Sequence, residues 1–372
     1  MQTQMESAIL AKKLRYEEFT RRMVKSEFIQ ELVENNKWYR HVLRFLGNGL
    51  MFAAFMGAMI LAFQVSILLG LLALPVYFYF QGVLIAGIMI HSHELSHNHI
   101  KARWLNDLIG ILAGYFSFIN FYSFQQAHQH HHKNIGNLDT PEAGAPISRS
   151  GQQAINNDDR YLKFTMKVYL RSKPVWLLIS WPCWLYYSDY NSWMLPCRHA
   201  NGKLHTGSVV VFALMMAIHL VLLVAFPAEY LGLFVVPMLI GGNRILAISH
   251  MHHAHEDSVF FGHEHHNFYS VIMHTTDKDY GIIDNFFMLN NGYHVPHHIN
   301  TKISYYDLPR ASKFLRESLP GDLHYNFYEG CSFYGDVAKS FYDARLERDY
   351  SIYQLRFFRP EEVMGELKQK FG

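Results

Sequence analysis

Two long stretches of the chain lack the alternation of apolar and polar positions that marks a soluble fold. From Phe45 to His93 there is no Asp, Glu, Lys or Arg, and from Leu204 to Asn243 the one such residue is Glu229. A helix packed on a soluble core keeps a polar face, and these runs keep none. A bilayer-spanning helix needs roughly 20 apolar residues, so each run is long enough for two. The pattern predicts four transmembrane helices in two hairpins, at residues 45–64 and 66–90 and again at 208–226 and 229–249. Between the hairpins, Trp104–Phe124 is apolar and predicts either a surface-lying helix or a re-entrant one. The surface-lying form is favoured, because a full fifth span would put the following segment on the opposite face. Residues 133–207 read as a long polar connection whose aromatic stretch, Trp176–Tyr187, is expected to rest on the membrane.

Composition and charge agree with a membrane protein and orient it. Of 372 residues, 50% are hydrophobic and only 17% charged, against about 25% charged in a soluble domain. Lys12, Lys13, Arg15, Arg21, Arg22, Lys25, Lys37, Arg40 and Arg44 precede the first run, while the turns inside the hairpins carry no Lys or Arg. Basic residues mark the cytoplasmic side, so both ends of both hairpins, and both termini, are expected there. The first residues are polar and show no cleavable signal. Cys183, Cys197 and Cys331 show no C-x-x-C spacing, which excludes a disulfide framework and a rubredoxin-type iron site. A net charge of +2 without a basic-aromatic pattern gives no reason to expect nucleic acid. The expected class is an all-α, multi-pass integral membrane protein. Amphipathic cytosolic helices over 1–44 lie at or near the surface, 45–309 forms the membrane and site domain, and 310–372 closes a cytosolic helical cap.

The chemistry sits at the ends of the apolar runs. The chain has 24 histidines, concentrated at 91–99, 128–132, 250–266 and 294–298. With this topology all four clusters emerge on one side. On a helix, residues i, i+3 and i+4 share a face. His93 and His97 are i, i+4; His128, His131 and His132 are i, i+3, i+4, as are His294, His297 and His298 if that segment is locally helical. Each triplet or pair aims its imidazoles at one point. His91, His99 and His130 lie two residues from such positions and point elsewhere, as supporting or surface groups. His93-Glu94-Leu95-Ser96-His97 is also H-E-x-x-H, the zinc-protease pattern. Eight ordered histidines, however, are too many for one catalytic zinc, which takes about three protein ligands. Two metal ions with about four nitrogens each fit the count better, and Glu94 then accepts from a ligand imidazole. Imidazole suits iron, zinc and copper alike. An open nitrogen-rich pair at the end of apolar helices argues for iron that activates oxygen beside a lipid chain. Asp139 and Glu142 are either acceptors for ligand imidazoles or a solvated acidic turn.

H-E-L-S-H at 93–97, H-Q-H-H-H at 128–132 and H-V-P-H-H at 294–298 resemble the three histidine boxes of the membrane fatty acid desaturase superfamily, which also contains hydroxylases. The stretch TTDKDYGIIDNFFMLNNGYHVPHH and the following YYDLP are similar to acyl-lipid desaturases of the delta-12 type, and the likeness runs from about Leu43 to Leu315. The resemblance implies a cytosolic cap on four spans and a di-iron centre held by His93, His97, His128, His131, His132, His294, His297, His298 and one more histidine after the fourth span. Counted back from Asp277, that ninth position falls on His253, with His250 the runner-up. His252, His255, His263, His265 and His266 exceed the family pattern and are expected to be solvated loop groups.

The activity so implied is oxygen-dependent insertion of a double bond into a fatty acyl chain, carried as a lipid, acyl-CoA or acyl carrier protein. A lipid hydroxylase or an alkene-forming decarboxylase of the same superfamily is the alternative, and an intramembrane zinc protease the remote one. No H-P-G-G motif of a fused cytochrome b5 is present, so the two electrons are expected from a separate ferredoxin or cytochrome b5.

Overall fold

The structure is a computed structural model and describes residues 2–137, 193–253, 261, 263 and 265–329. Among these the chain is mostly helical. An N-terminal pair, α1 (Gln2–Val24) and α2 (Glu27–Glu34), leads into α3 (Tyr39–Val65) and α4 (Ile67–Ser96), followed by α5 (Arg103–Tyr115) and α6 (Phe121–Asn134). Then come α7 (Thr206–Ala225), α8 (Val236–His253), the short helices α9 (Gly281–Phe287) and α10 (His294–Ile299), and α11 (Leu308–Ser318). Two two-residue strands, β1 (Asp277–Lys278) and β2 (Phe327–Tyr328), pair in parallel.

Three helices, α3, α4 and α7, are long and apolar enough to cross a membrane. Their surfaces are inverted relative to a soluble protein. Leu50, Val65, Ile67, Leu72 and Val224 are exposed, whereas Asn48 and Gln81 are buried, with Gln81 Nε2 donating to the carbonyl of Phe52 at 3.2 Å. Polar groups turned inward and aliphatic groups turned outward suit a hydrocarbon solvent. The segment expected as a fourth span at 229–249 is not one continuous α-helix. A single turn at Pro227–Glu229 is followed by a widened turn at Tyr230–Val235, and α8 begins after it. Pro237 stands in the first turn of α8, where its missing N–H removes one hydrogen bond to the preceding turn. α8 nonetheless lies along α4 at close range: a Cβ on Gly241 would stand 2.6 Å from the carbonyl oxygen of Gly82.

The apolar segment Trp104–Phe124, expected to be surface-lying or re-entrant, forms two helices packed against α4. α5 runs antiparallel to α4: Asn106 Nδ2 donates to the carbonyl of Leu95 at 2.9 Å, and further down Ser92 Oγ donates to that of Gly110 at 3.3 Å. The chain turns at Phe116–Asn120, where Phe116 meets Phe52 and Phe234, and α6 runs back. At this turn His219 of α7 is held between the rings of Tyr115 and Phe118, bonded to the Tyr115 carbonyl (3.2 Å) and the Tyr230 hydroxyl (2.9 Å). The two short helices bring the second histidine cluster back beside the first.

The N-terminal helices do not merely lie alongside. Tyr16, Phe19 and Met23 of α1 pack with Val271, Ile272, Val295 and Leu315, and Ile29 and Leu32 of α2 with Tyr293, Ile303 and Leu308. They thus support the third histidine triplet from outside.

α9 and α4 come close at Gly87, where a Cβ would stand 2.3 Å from the carbonyl oxygen of Phe287. Gly87→Ala is expected to cost about 1–3 kcal/mol through forced displacement and to lower the unfolding temperature in detergent. Gly57→Ala on α3, where a Cβ meets nothing within 4 Å, should not lower it.

Candidate metal centre

The helix that ends the second span continues through the first cluster, so His93 lies in its last turn and His97 caps it. Such an end leaves carbonyls unsatisfied, and here side chains from three elements take them. Asn106 Nδ2 bonds Leu95 O (2.9 Å), Gln125 Nε2 bonds Ser96 O (2.9 Å), and the Lys302 ammonium bonds His97 O. Gln125 stands one turn before His128 on α6, so this bond ties the first cluster to the second. The third triplet occupies α10, a helix of six residues, and the expected local helix is found.

The histidines named from the sequence come together in two groups. His93, His97, His128, His132 and His297 form one, and His131, His253, His294 and His298 the other, with the nitrogens of each group within 4.8 Å of one another. All are buried except His93, which is partly so. The groups adjoin: the rings of His132 and His298 are 4.3 Å apart and those of His131 and His298 5.0 Å. His128 Nε2 stands 3.0 Å from His97 Nε2 and 2.9 Å from His132 Nε2, and His294 Nε2 stands 3.1 Å from His253 Nε2 and 3.0 Å from His298 Nε2. Metal–imidazole bonds of about 2 Å set at right angles place two nitrogens about 3 Å apart. The donor set therefore fits metal ions. Burial, reinforced by neighbouring imidazoles, holds His128, His132, His294, His297 and His298 well below the ordinary histidine range. Neutral imidazoles with free lone pairs are what a metal requires.

Around the groups, Glu94 is buried with its carboxylate 3.4 Å from His93 Nδ1 and 3.7 Å from His99 Nε2. It holds imidazoles instead of facing an open position, which leaves the zinc-protease reading without support. His99 is buried and receives Asn36 Nδ2 at its carbonyl (3.0 Å), and Asn36 in turn accepts from Ser304 Oγ (2.9 Å). His91 is buried against Phe45, while His130 is exposed beside Asn134. His263 and His265 are exposed, as expected of loop groups, and His266 is half-buried and bonds the Ile135 carbonyl. His252 departs from that expectation. It is buried with its ring 4.4 Å from that of His294, because it precedes His253 on α8 and packs behind the third triplet. The side chain of His250 lies outside the described residues, as do His255, Asp139, Glu142, the aromatic stretch 176–187 and the tail from residue 330.

Sequence reasoning missed Asp277. This carboxylate is fully buried at the start of β1 and accepts from the Val295 amide (2.7 Å), the Ser312 hydroxyl (2.5 Å) and the Tyr325 hydroxyl (2.6 Å). Burial pushes its carboxyl up to about 6 against the pull of these donors. The Val295 amide lies in the first turn of α10, between His294 and His297, so Asp277 anchors the N-terminus of the helix that carries the third triplet. An acidic residue 17 positions before the triplet, in a strand of two residues, gave no periodic signal.

Imidazoles gathered in two largely buried groups at the ends of apolar helices define a helical membrane protein with a histidine-rich metal site. Residues 69–329 match the family described as Fatty acid desaturase, and the chain belongs to that family. The enzyme is accordingly an oxidoreductase acting on fatty acyl chains. It is 24% identical over 279 residues to a Delta(12)-fatty-acid desaturase of Arabidopsis thaliana, which covers 72% of this chain and 71% of the relative. It is likewise 24% identical over 281 residues to an oleoyl-12-hydroxylase of Ricinus communis (72% and 70% covered). Over 266 residues it is 24% identical to a bifunctional desaturase/conjugase of Vernicia fordii (68% of each).

Removal of the Asp277 carboxylate takes the acceptor away from the buried Val295 amide, a loss of about 1–3 kcal/mol, and from the Ser312 and Tyr325 hydroxyls. Asp277→Ala is expected to lose most bound metal by elemental analysis of the purified protein. Asp277→Asn, which keeps one accepting oxygen toward Val295, should retain more. Equal metal in the alanine variant and the parent would show that the third triplet stands without this anchor.

Proposed function

We propose that the protein is an oxygen-dependent di-iron desaturase that introduces a double bond into a fatty acyl chain. The observation that carries this reading is the pair of adjoining buried histidine groups in a chain of the fatty acid desaturase family. In this reading His93, His97, His128, His132 and His297 hold one iron ion, and His131, His253, His294 and His298 hold the other. Glu94 and the carbonyl of His274, 3.4 Å from His253 Nδ1, fix the far nitrogens of two of these rings. Iron ions so held supply the oxidising power to break unactivated C–H bonds, which no side chain offers. The chain's own residues orient the imidazoles, exclude water through the apolar helices and choose which methylenes approach. The balance is one CH2–CH2 unit, one O2, two electrons and two protons giving one CH=CH unit and two waters. The electrons come from a separate ferredoxin or cytochrome b5, and the acyl chain arrives as a lipid, acyl-CoA or acyl carrier protein.

Hydroxylation is the second reading, favoured by one observation: the identity to the Ricinus communis hydroxylase equals that to the Arabidopsis thaliana desaturase. Both outcomes begin by removing the same kind of hydrogen and part in the fate of the substrate carbon.

The arrangement extends to topology. Four spans, the fourth formed by the interrupted segment Pro227–His253, put the site and both termini on the cytoplasmic side, with 1–44 and 310–372 flanking the central unit. The basic residues before α3 support it.

Expression in a bacterial host supplied with a ferredoxin, followed by mass spectrometry of the acyl chains, should show loss of two hydrogens; His131→Ala and His297→Ala should abolish it. Gain of one oxygen would assign the hydroxylase, and no altered acyl chain from an iron-loaded protein would overturn both readings. Purified protein should carry two iron ions, and one zinc ion per chain would sink the di-iron centre. A reporter active only outside the cytoplasm should be silent when fused after Gly372 and active when inserted at Pro227. The opposite pattern would place the histidine groups on the wrong face.

A further inference from the structure

The segment between β1 and the third histidine triplet contains α9, and its composition does not suit a cap surrounded by water. Ile282 is 90% exposed, Ile283 65% and Phe286 53%, three large apolar side chains on a helix of seven residues. Scattered exposed aliphatics are ordinary, but a contiguous group of this kind marks an interaction surface.

The depth of α9 identifies what it meets. The Phe287 carbonyl comes against Gly87, with Asn48 of α3 at the same point. Gly87 lies six residues before His93 on one helix, about 9 Å at 1.5 Å per residue. α9 therefore meets α4 below the first histidine cluster, beside the spans. The Arg44 guanidinium lies 3.6 Å over the Phe286 ring and donates to the Phe286 carbonyl at 2.5 Å. Arg44 is the last cation before the uncharged run that opens at Phe45. On the inner side Asp284 pairs with the buried Arg244 of α8, whose Nε also contacts Met288 Sδ at 3.1 Å. α9 is thus clamped to α3, α4 and α8 by its polar and backbone groups, with its apolar face turned outward. Flanking Arg44 along α3, Leu43, Leu46 and Leu50 are exposed too, on a helix that is long and apolar enough to cross the membrane.

We propose that α9 is embedded in the bilayer leaflet on the side of the histidine groups, with Ile282, Ile283 and Phe286 among the acyl chains and Arg44 at the level of the phosphates. An apolar face buried beside a cationic side chain that reaches the headgroups is the general form of an interfacial helix. The occupant is bilayer lipid, because the exposed face begins at the depth where the charge-free run begins. By this contact the membrane holds the segment that joins Asp277 to His294 at a set depth. The inference requires only that the protein is membrane-embedded and is independent of which acyl reaction it performs.

The test uses the full-length protein in phosphatidylcholine nanodiscs, with its three cysteines replaced and a polarity-sensitive fluorophore placed at Ile282→Cys or Phe286→Cys. Lys313→Cys, on an exposed position of α11, is the control. The α9 labels should emit at shorter wavelength than the control, be quenched by spin-labelled acyl chains, and resist aqueous iodide. The control should show the reverse. Quenching of the α9 labels by iodide would overturn the proposal. So would protection from both quenchers, which would mean that another part of the chain or a second copy covers the face. If the cysteine variants do not fold, the unmodified protein can be photolabelled with a diazirine-bearing phospholipid. Label in the peptide spanning 281–287 supports the proposal, and its absence, with label present in α3, refutes it.

Discussion

The described structure is organised around bringing nine imidazoles together in two adjoining, largely buried groups. An imidazole in water protonates readily near neutral pH; one surrounded by others and by apolar groups does not. The cost of such a site is the loss of hydration at every ring nitrogen, and a bound cation is the partner that offsets it for many nitrogens at once. The Nε2 atoms of His97, His128 and His132 crowd around one point, as do those of His253, His294 and His298, so the two groups have the form of sites rather than of hydrogen-bonded pairs.

Rigid helix ends meet that need. α4 delivers two histidines at its C-terminus, α6 three, α8 one and α10 three. Helix termini carry unpaired carbonyls, and the bonds that satisfy them here, from Asn106, Gln125 and Lys302, fix where the imidazoles stand. α10 is too short to hold itself. It depends on Asp277 at its first turn and on the packing of α1 and α2 against Val295, Tyr293 and their neighbours. The N-terminal segment, which read as a surface attachment, is therefore structural support for the site.

The membrane imposes the other half of the design. The second cluster must meet the first, and the chain achieves this with the antiparallel pair α5 and α6. His219, itself buried, secures the turn by bonding to a backbone carbonyl and a tyrosine hydroxyl. The reading of Trp104–Phe124 rested on excluding a fifth span, and the structure shows the segment as two helices packed against α4. A stretch too short to cross can still pack against a span when neighbouring helices satisfy its ends. The interruption at Tyr230–Val235 escaped notice for a different reason. Hydropathy counts apolar residues and is blind to a proline that breaks the hydrogen-bond ladder.

The sequence by itself determined that the chain enters a membrane and that His93, His97, His128, His131, His132, His294, His297 and His298 face common points. Both follow from local rules, an uncharged run of sufficient length and a spacing of three and four on a helix. The likeness of the three histidine motifs carried the family. Only the tertiary structure decided how the histidines divide into five and four, that His253 joins the smaller group, that His252 is buried behind it, and that Asp277 anchors the third triplet. Those facts depend on which helix ends meet, and contacts between residues far apart in the chain leave no period in its sequence.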